Sequence, residues 1–225
     1  MKNNGATGGL KNIVYEYLLN SILSDSLQPG HVIVEQEVSD LLGISRTPVR
    51  EALKMLEADG LVHHIPSRGT FVKEISIQDV EEIFQLRELF EITALKVAIK
   101  EISDEEIDYI EECLHVLNDD GIGKANINEE FYRSDRELHQ IIMRYIGNSR
   151  AIQFYTTLEV QLERLRRISS MTPSRLSKSK QEHIDIVKAI RSRDLQDATN
   201  RLSSHLNNVK ESIKSVCHLM WLNNN

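Results

Sequence analysis

Residues 45–56 read Ser-Arg-Thr-Pro-Val-Arg-Glu-Ala-Leu-Lys-Met-Leu, and this stretch decides the reading of the chain. Steps of three and four residues bring Arg46, Arg50 and Lys54 to one side of a helix, with Thr47 beside them, while Val49, Ala52, Leu53 and Leu56 fall on the other. Such a helix anchors one face in a core and offers the other to an acidic partner. Pro48 lies in the first turn, where its missing amide donor costs little. Either Ser45 or Thr47 suits the N-cap, and the sequence does not choose between them.

The flanking residues complete a domain. Residues 35–42 form a second short helical pattern and Gly43-Ile44 a tight turn, so the two helices make a helix-turn-helix. Downstream, Leu61-Val62-His63-His64-Ile65 and Thr70-Phe71-Val72 alternate as strands around the turn Pro66-Ser67-Arg68-Gly69. A hairpin with a basic tip beside such a helix is a wing. Arginine presents a planar fork of donors that matches the major-groove edge of guanine and also pairs with phosphate. Arg46 and Arg50 are therefore the candidates for base contacts, Thr47 and Lys54 for phosphate, and Arg68, with Gly69 next to it, for a wing-tip contact to the backbone or minor groove.

These motifs resemble the GntR-type winged helix-turn-helix transcription regulators, in which Ser-Arg-Thr-Pro-Val-Arg-Glu-Ala-Leu and Pro-x-Arg-Gly-Thr-Phe-Val recur. Both are present without a gap, and the resemblance covers residues 10–73. It implies a DNA-binding regulator of transcription, repressors being the more common kind, acting as a homodimer on a two-fold symmetric operator in double-stranded DNA.

Composition restricts how such binding can work. The 225 residues are 40% hydrophobic with a net charge of −7, and both 1–75 and 76–225 hold more Asp and Glu than Lys and Arg. Neither half is basic in bulk, so affinity must rest on a local basic patch and on two subunits acting together. No apolar run reaches the roughly 20 residues of a membrane span. The first nine residues lack the apolar core of a signal peptide, so a cytoplasmic protein with no membrane partner is expected. Cys113 and Cys217 have no metal spacing and are expected as reduced thiols.

The pattern changes near residue 75. We expect a flexible Gly- and Asn-rich arm over 1–9, the winged domain over 10–75 and an all-helical domain over 76–225, giving a mainly α protein whose only strands belong to the wing. Helical patterns run over about 76–100, 103–117, 129–145, 149–169, 177–192 and 194–218. The first opens on Ser76-Ile-Gln-Asp79 and the second on the capping box Ser103-Asp-Glu-Glu106. Residues 119–128, with Gly121 and Gly123, read as a loop, and Thr172-Pro173 as a break.

Four potential metal ligands lie in this second half. Asp135 and His139 project from adjacent turns of one helix, and His183 and His205 sit on the last two helices, where a hairpin can bring them together. Taken singly, each is an ordinary core or surface residue. Asp135-Arg-Glu-Leu-His139, and Glu182-His183 through Ala198 to His205, also resemble the C-terminal effector domain of the FadR branch of the GntR family, the FCD-type domain. Many members of that branch ligate zinc, nickel or manganese with an Asp-x-x-x-His helix and two later histidines. The resemblance thus implies a divalent metal held by Asp135, His139, His183 and His205, with zinc foremost, nickel and manganese being equally suited to these donors.

Arg87 stands one helical turn before Glu91. The branch often carries an arginine there that receives the carboxylate of an organic-acid effector, and guanidinium and carboxylate make a bidentate pair. The alternative is an exposed Arg87–Glu91 ion pair of a few tenths of a kcal/mol. Two other functions are consistent with the ligand set: a sensor of the metal itself, and a metalloenzyme, for which no general base or nucleophile stands beside the ligands.

Overall fold

The computed structural model describes residues 4–115, 125–172 and 174–223. The chain divides into two compact units, Met1–Ile75 and Ser76–Asn225.

In the first unit α1 (Asn4–Leu23) is followed by β1 (Val32–Ile33), α2 (Glu35–Leu42), α3 (Arg46–Ala58), β2 (Val62–Ile65) and β3 (Gly69–Val72). Val14, Leu18 and Ile22 of α1 are buried with Val49, Ala52 and Leu56 of α3, so the apolar face of residues 45–56 is the centre of this core. The helix-turn-helix turn is made by Gly43, which caps α2 at φ 65° and ψ 33°, a left-handed conformation that glycine adopts without strain. Ser45 takes the N-cap position of α3 with extended backbone, though its side chain makes no capping bond. The wing is an antiparallel hairpin with Ile65 opposite Gly69 and Val62 opposite Val72. One strand was not foreseen: β1 pairs with β3 through Val32–Phe71 and Ile33–Thr70, completing a three-stranded sheet in the order β1-β3-β2. Of the expected arm, residues 4–9 are helical and lie in the first turns of α1; residues 1–3 lie outside the described residues.

The second unit is helical throughout its described residues: α4 (Ile77–Glu101), α5 (Asp104–His115), α6 (Ala125–Arg144), α7 (Ser149–Ser170), α8 (Arg175–Arg191) and α9 (Leu195–Asn223). Ser76 and Asp79 form a complete capping box at α4, and Ser103 and Glu106 exchange backbone-to-side-chain bonds of 3.2 Å at the start of α5. Most of the expected loop at 119–128 and the break at Pro173 fall outside the described residues, but from Ala125 onward the chain is already helical. The core joins α4 (Val80, Phe84, Leu95), α5 (Ile107, Ile110), α6 (Leu138, Ile142), α7 (Leu162), α8 (Ile186, Val187) and α9 (Leu202, Ile213). Cys113 and Cys217 are both free. No described helix is long and apolar enough to cross a membrane.

Candidate metal centre and nucleic-acid face

Asp135, His139, His183 and His205 come together inside the second unit. Each offers one ligand atom, and these four atoms all lie within 4.8 Å of one another. Helical spacing on α6 aims Asp135 and His139 at the same point, with Asp135 Oδ1 3.7 Å from His139 Nε2. From α8, His183 Nε2 stands 3.3 Å from the same Oδ1, and it lies 3.2 Å from Nε2 of His205 on α9. A divalent ion bound at about 2.0–2.2 Å sets neighbouring donors roughly 3–3.6 Å apart, so the 3.2 and 3.3 Å separations fit a shared ion and the 3.7 Å one is slightly wider. All three imidazoles are fully buried and Asp135 is 5% exposed.

The surrounding side chains prepare these donors. His139 donates its Nδ1–H to Glu91 Oε2 at 2.6 Å, and His205 donates its Nδ1–H to Glu182 Oε2 at 2.7 Å. Both rings are thereby fixed in the tautomer that turns the Nε2 lone pair inward, as metal-ligating histidines require. His139 Nε2 has no hydrogen-bond partner among the described residues, an orphan buried acceptor that an ion would satisfy. Burial pushes His139 below the usual histidine range, and burial together with His183 lowers His205 to about 3. Both are neutral and ready to ligate at neutral pH. Burial alone would raise the carboxyl of Asp135, but Arg166, which binds its Oδ2, and the neighbouring imidazoles hold it well below the usual carboxylate range. His183 is anchored differently: its Nδ1 has no partner among the described residues, and its ring stacks on Phe131 at 6.1 Å.

Arg87 corrects the surface-pair alternative. It is 2% exposed and its partner Glu91 is fully buried, with Nε donating to Glu91 Oε1 at 2.6 Å. Its Nη2 is buried with no partner among the described residues. A buried guanidinium with one donor left over has the chemistry to pair with an anion. Burial would raise the Glu91 carboxyl, yet Arg87 and His139 outweigh it and keep that group ionised.

In the first unit Arg46, Thr47, Arg50 and Lys54 are exposed along one side of α3 while Val49, Ala52 and Leu56 are buried, as the spacing predicts. Arg46 Nε donates to Gln36 Oε1 at 2.6 Å and Arg50 Nε to Glu35 Oε2 at 2.7 Å, so both forks lean on the start of α2. Arg68 is exposed at the wing tip. Gly69 has φ 111°, which suits glycine alone, so its contribution is to the shape of the turn.

Sequence reasoning missed Arg166, Tyr155 and the anchoring roles of Glu91 and Glu182. Glu91 was visible only as the i+4 partner of Arg87, and no spacing links Arg166 on α7 to Asp135 on α6.

A winged helix-turn-helix unit joined to a helical unit with a buried donor cluster defines a DNA-binding regulator that carries a ligand site. Residues 10–72 match the family described as bacterial regulatory proteins, gntR family, and residues 82–208 match the FCD domain. The chain belongs to the GntR family of transcription regulators, in the branch that bears an FCD domain. It is 27% identical over 203 residues, 90% of this chain and 88% of the relative, to the HTH-type transcriptional repressor RspR of Escherichia coli K12. Among solved structures, E. coli McbR/YncC superposes with a TM-score of 0.71 at 19% identity, covering 94% of this chain and 98% of that one. The Zn2+-bound FCD domain of TM0439 superposes with a TM-score of 0.50 at 25% identity, covering 63% of this chain and 96% of that domain. The family and these relatives are regulators and not enzymes, so the metalloenzyme reading falls.

Proposed function

We propose that this regulator is a cytoplasmic repressor whose hold on its operator is released or strengthened by a small organic acid bound beside a divalent metal. Asp135, His139, His183 and His205 hold the ion and Arg87 receives the effector carboxylate. The observation that carries the reading is the pairing of four convergent ligand atoms with the buried Nη2 of Arg87, without a partner among the described residues, in the same unit. Zinc is the favoured ion, supported by the zinc-bound FCD domain of TM0439, although histidine and carboxylate donors suit nickel and manganese as well. Once bound, the ion supplies a fixed positive charge that draws a carboxylate, and Arg87 fixes that carboxylate's orientation.

Arg46 and Arg50 read base edges, Thr47 and Lys54 hold phosphates, and Arg68, shaped by the Gly69 turn, touches the backbone or minor groove. Because the chain is acidic, one winged unit binds weakly; a homodimer on a two-fold site supplies the affinity. Effector binding in the helical unit favours one of two placements of the winged units and so alters their fit to the half-sites. RspR, a repressor by name, supports the sign.

The test is a melting-temperature screen of the zinc-loaded chain against small carboxylic acids, followed by band shifts on DNA that the chain itself selects from a random pool. An acid that stabilises the wild type, fails to stabilise Arg87→Ala and changes the band shift supports the reading. An acid that stabilises both chains equally removes Arg87 from the effector site. Release from DNA that follows free zinc with no acid present favours the metal-sensor alternative.

A further inference from the structure

We propose that Glu91 is a positioning residue that couples the anion site at Arg87 to the metal ligand His139, so that anion and metal each tighten the other's binding. This rests on the metal and effector reading above and adds a mechanism to it.

Glu91 is a fully buried carboxylate with three donors directed at it. Arg87 Nε reaches Oε1 at 2.6 Å, the Tyr155 hydroxyl donates to the same Oε1 at 2.8 Å, and His139 Nδ1 reaches Oε2 at 2.6 Å. The three come from α4, α7 and α6, so this one side chain joins three helices. Its two nearest polar neighbours each retain an unsatisfied atom: Arg87 Nη2, a donor, and His139 Nε2, an acceptor, neither with a partner among the described residues. Glu91 therefore lies between an open anion receptor and an open metal donor.

The consequence is chemical. The negative charge of Glu91 is divided among a guanidinium, a phenol and an imidazole. An anion taken by Arg87 Nη2 draws on the guanidinium charge, leaving more of the Glu91 charge for His139. A stronger acceptor at Nδ1 makes the opposite nitrogen of the imidazole a better metal donor. Linkage requires the converse, that bound metal raises anion affinity by the same factor, and such couplings usually amount to about 5–150-fold. Glu182 gives the contrast. It anchors His205 in the same way, but its other bonds go to Arg175 and to Asn208 at 3.0 Å on a partly open surface, with no orphaned donor on either among the described residues.

The decisive measurement is the zinc dissociation constant of the full chain, by competition with a chelator, for the wild type, Arg87→Gln, Glu91→Gln and the double variant. Glu91→Gln should weaken zinc about 10–100-fold. Arg87→Gln should tighten zinc in the wild-type background and leave it unchanged in the Glu91→Gln background. Equal effects of Arg87→Gln in both backgrounds mean that Arg87 acts through space, and overturn the proposal. Should Glu91→Gln fail to fold, Tyr155→Phe decides: the ring that packs edge-on against Phe90 is kept while one donor to Glu91 is lost. The account expects severalfold tighter zinc in a chain with unchanged circular dichroism, and unchanged zinc affinity overturns it. A wild-type chain that takes up no zinc sinks the metal reading itself and this inference with it, whereas zinc uptake with additive variants sinks this inference alone.

Discussion

The two units hold their charges in opposite ways. On α3 the side chain of Arg50 is 61% exposed and its partner Glu35 32%, whereas in the helical unit Arg87 is 2% exposed and Glu91 fully buried. An exposed pair contributes about 0–1 kcal/mol and is readily exchanged for another anion. That is what the proposed DNA-reading role of Arg50 needs, since there Glu35 would give way to phosphate or a base edge. A buried pair is expensive to desolvate and costly to break, so it persists only where the surrounding bonds hold it. The winged unit thus carries an exchangeable arginine–glutamate pair and the helical unit a fixed one, as the proposed DNA-reading and receptor roles require.

The sharpest way to break this comparison is to cut one partner from each pair. Glu91→Ala leaves Arg87 buried without its carboxylate and should destabilise the helical unit by about 3–5 kcal/mol in thermal or denaturant unfolding. Glu35→Ala should change stability by no more than about 1 kcal/mol. Similar losses in the two variants would show that the burial contrast does not govern their energetics. Next in size, His183→Ala should abolish stoichiometric metal by elemental analysis, since it removes one donor of four; full occupancy in that variant would dissolve the four-ligand site.

Smaller effects separate the roles on α3. Arg50→Ala should lower affinity for the selected DNA by about 1–3 kcal/mol while barely altering affinity for unrelated DNA. An equal loss on both would make Arg50 a phosphate contact. Lys54→Ala should weaken all sequences alike and reduce the slope of log affinity against log salt by about one. A loss confined to the selected DNA would instead move Lys54 among the base-reading residues.

How much of this was legible depended on sequence distance. The α3 face was readable because its periodicity is local, as were the capping boxes at Ser76 and Ser103. β1 was not, for its two residues are too short to show alternation. Residues 4–9 carry arm-like composition, yet they continue the helix whose later residues Val14 and Leu18 are buried in the core. In the helical unit the four clustered residues could be placed, Asp135 and His139 by helical spacing and His183 and His205 by their positions on the last two helices, while their reading as a ligand set came from the resemblance. The residues that prepare them could not: Tyr155 meets Glu91 across 64 positions and His139 meets it across 48. Burial also turned the Arg87–Glu91 spacing, compatible with a surface pair, into an interior one. A helical repeat fixes the face a residue occupies, but not what another helix brings to that face.

The central claim is that the helical unit holds one divalent ion through Asp135, His139, His183 and His205. The most direct measurement is elemental analysis of the full chain after dialysis against zinc, nickel and manganese, in parallel with His139→Ala. The account predicts one ion per wild-type chain and none in the variant; a wild type that emerges metal-free, or a variant that retains its ion, would contradict it.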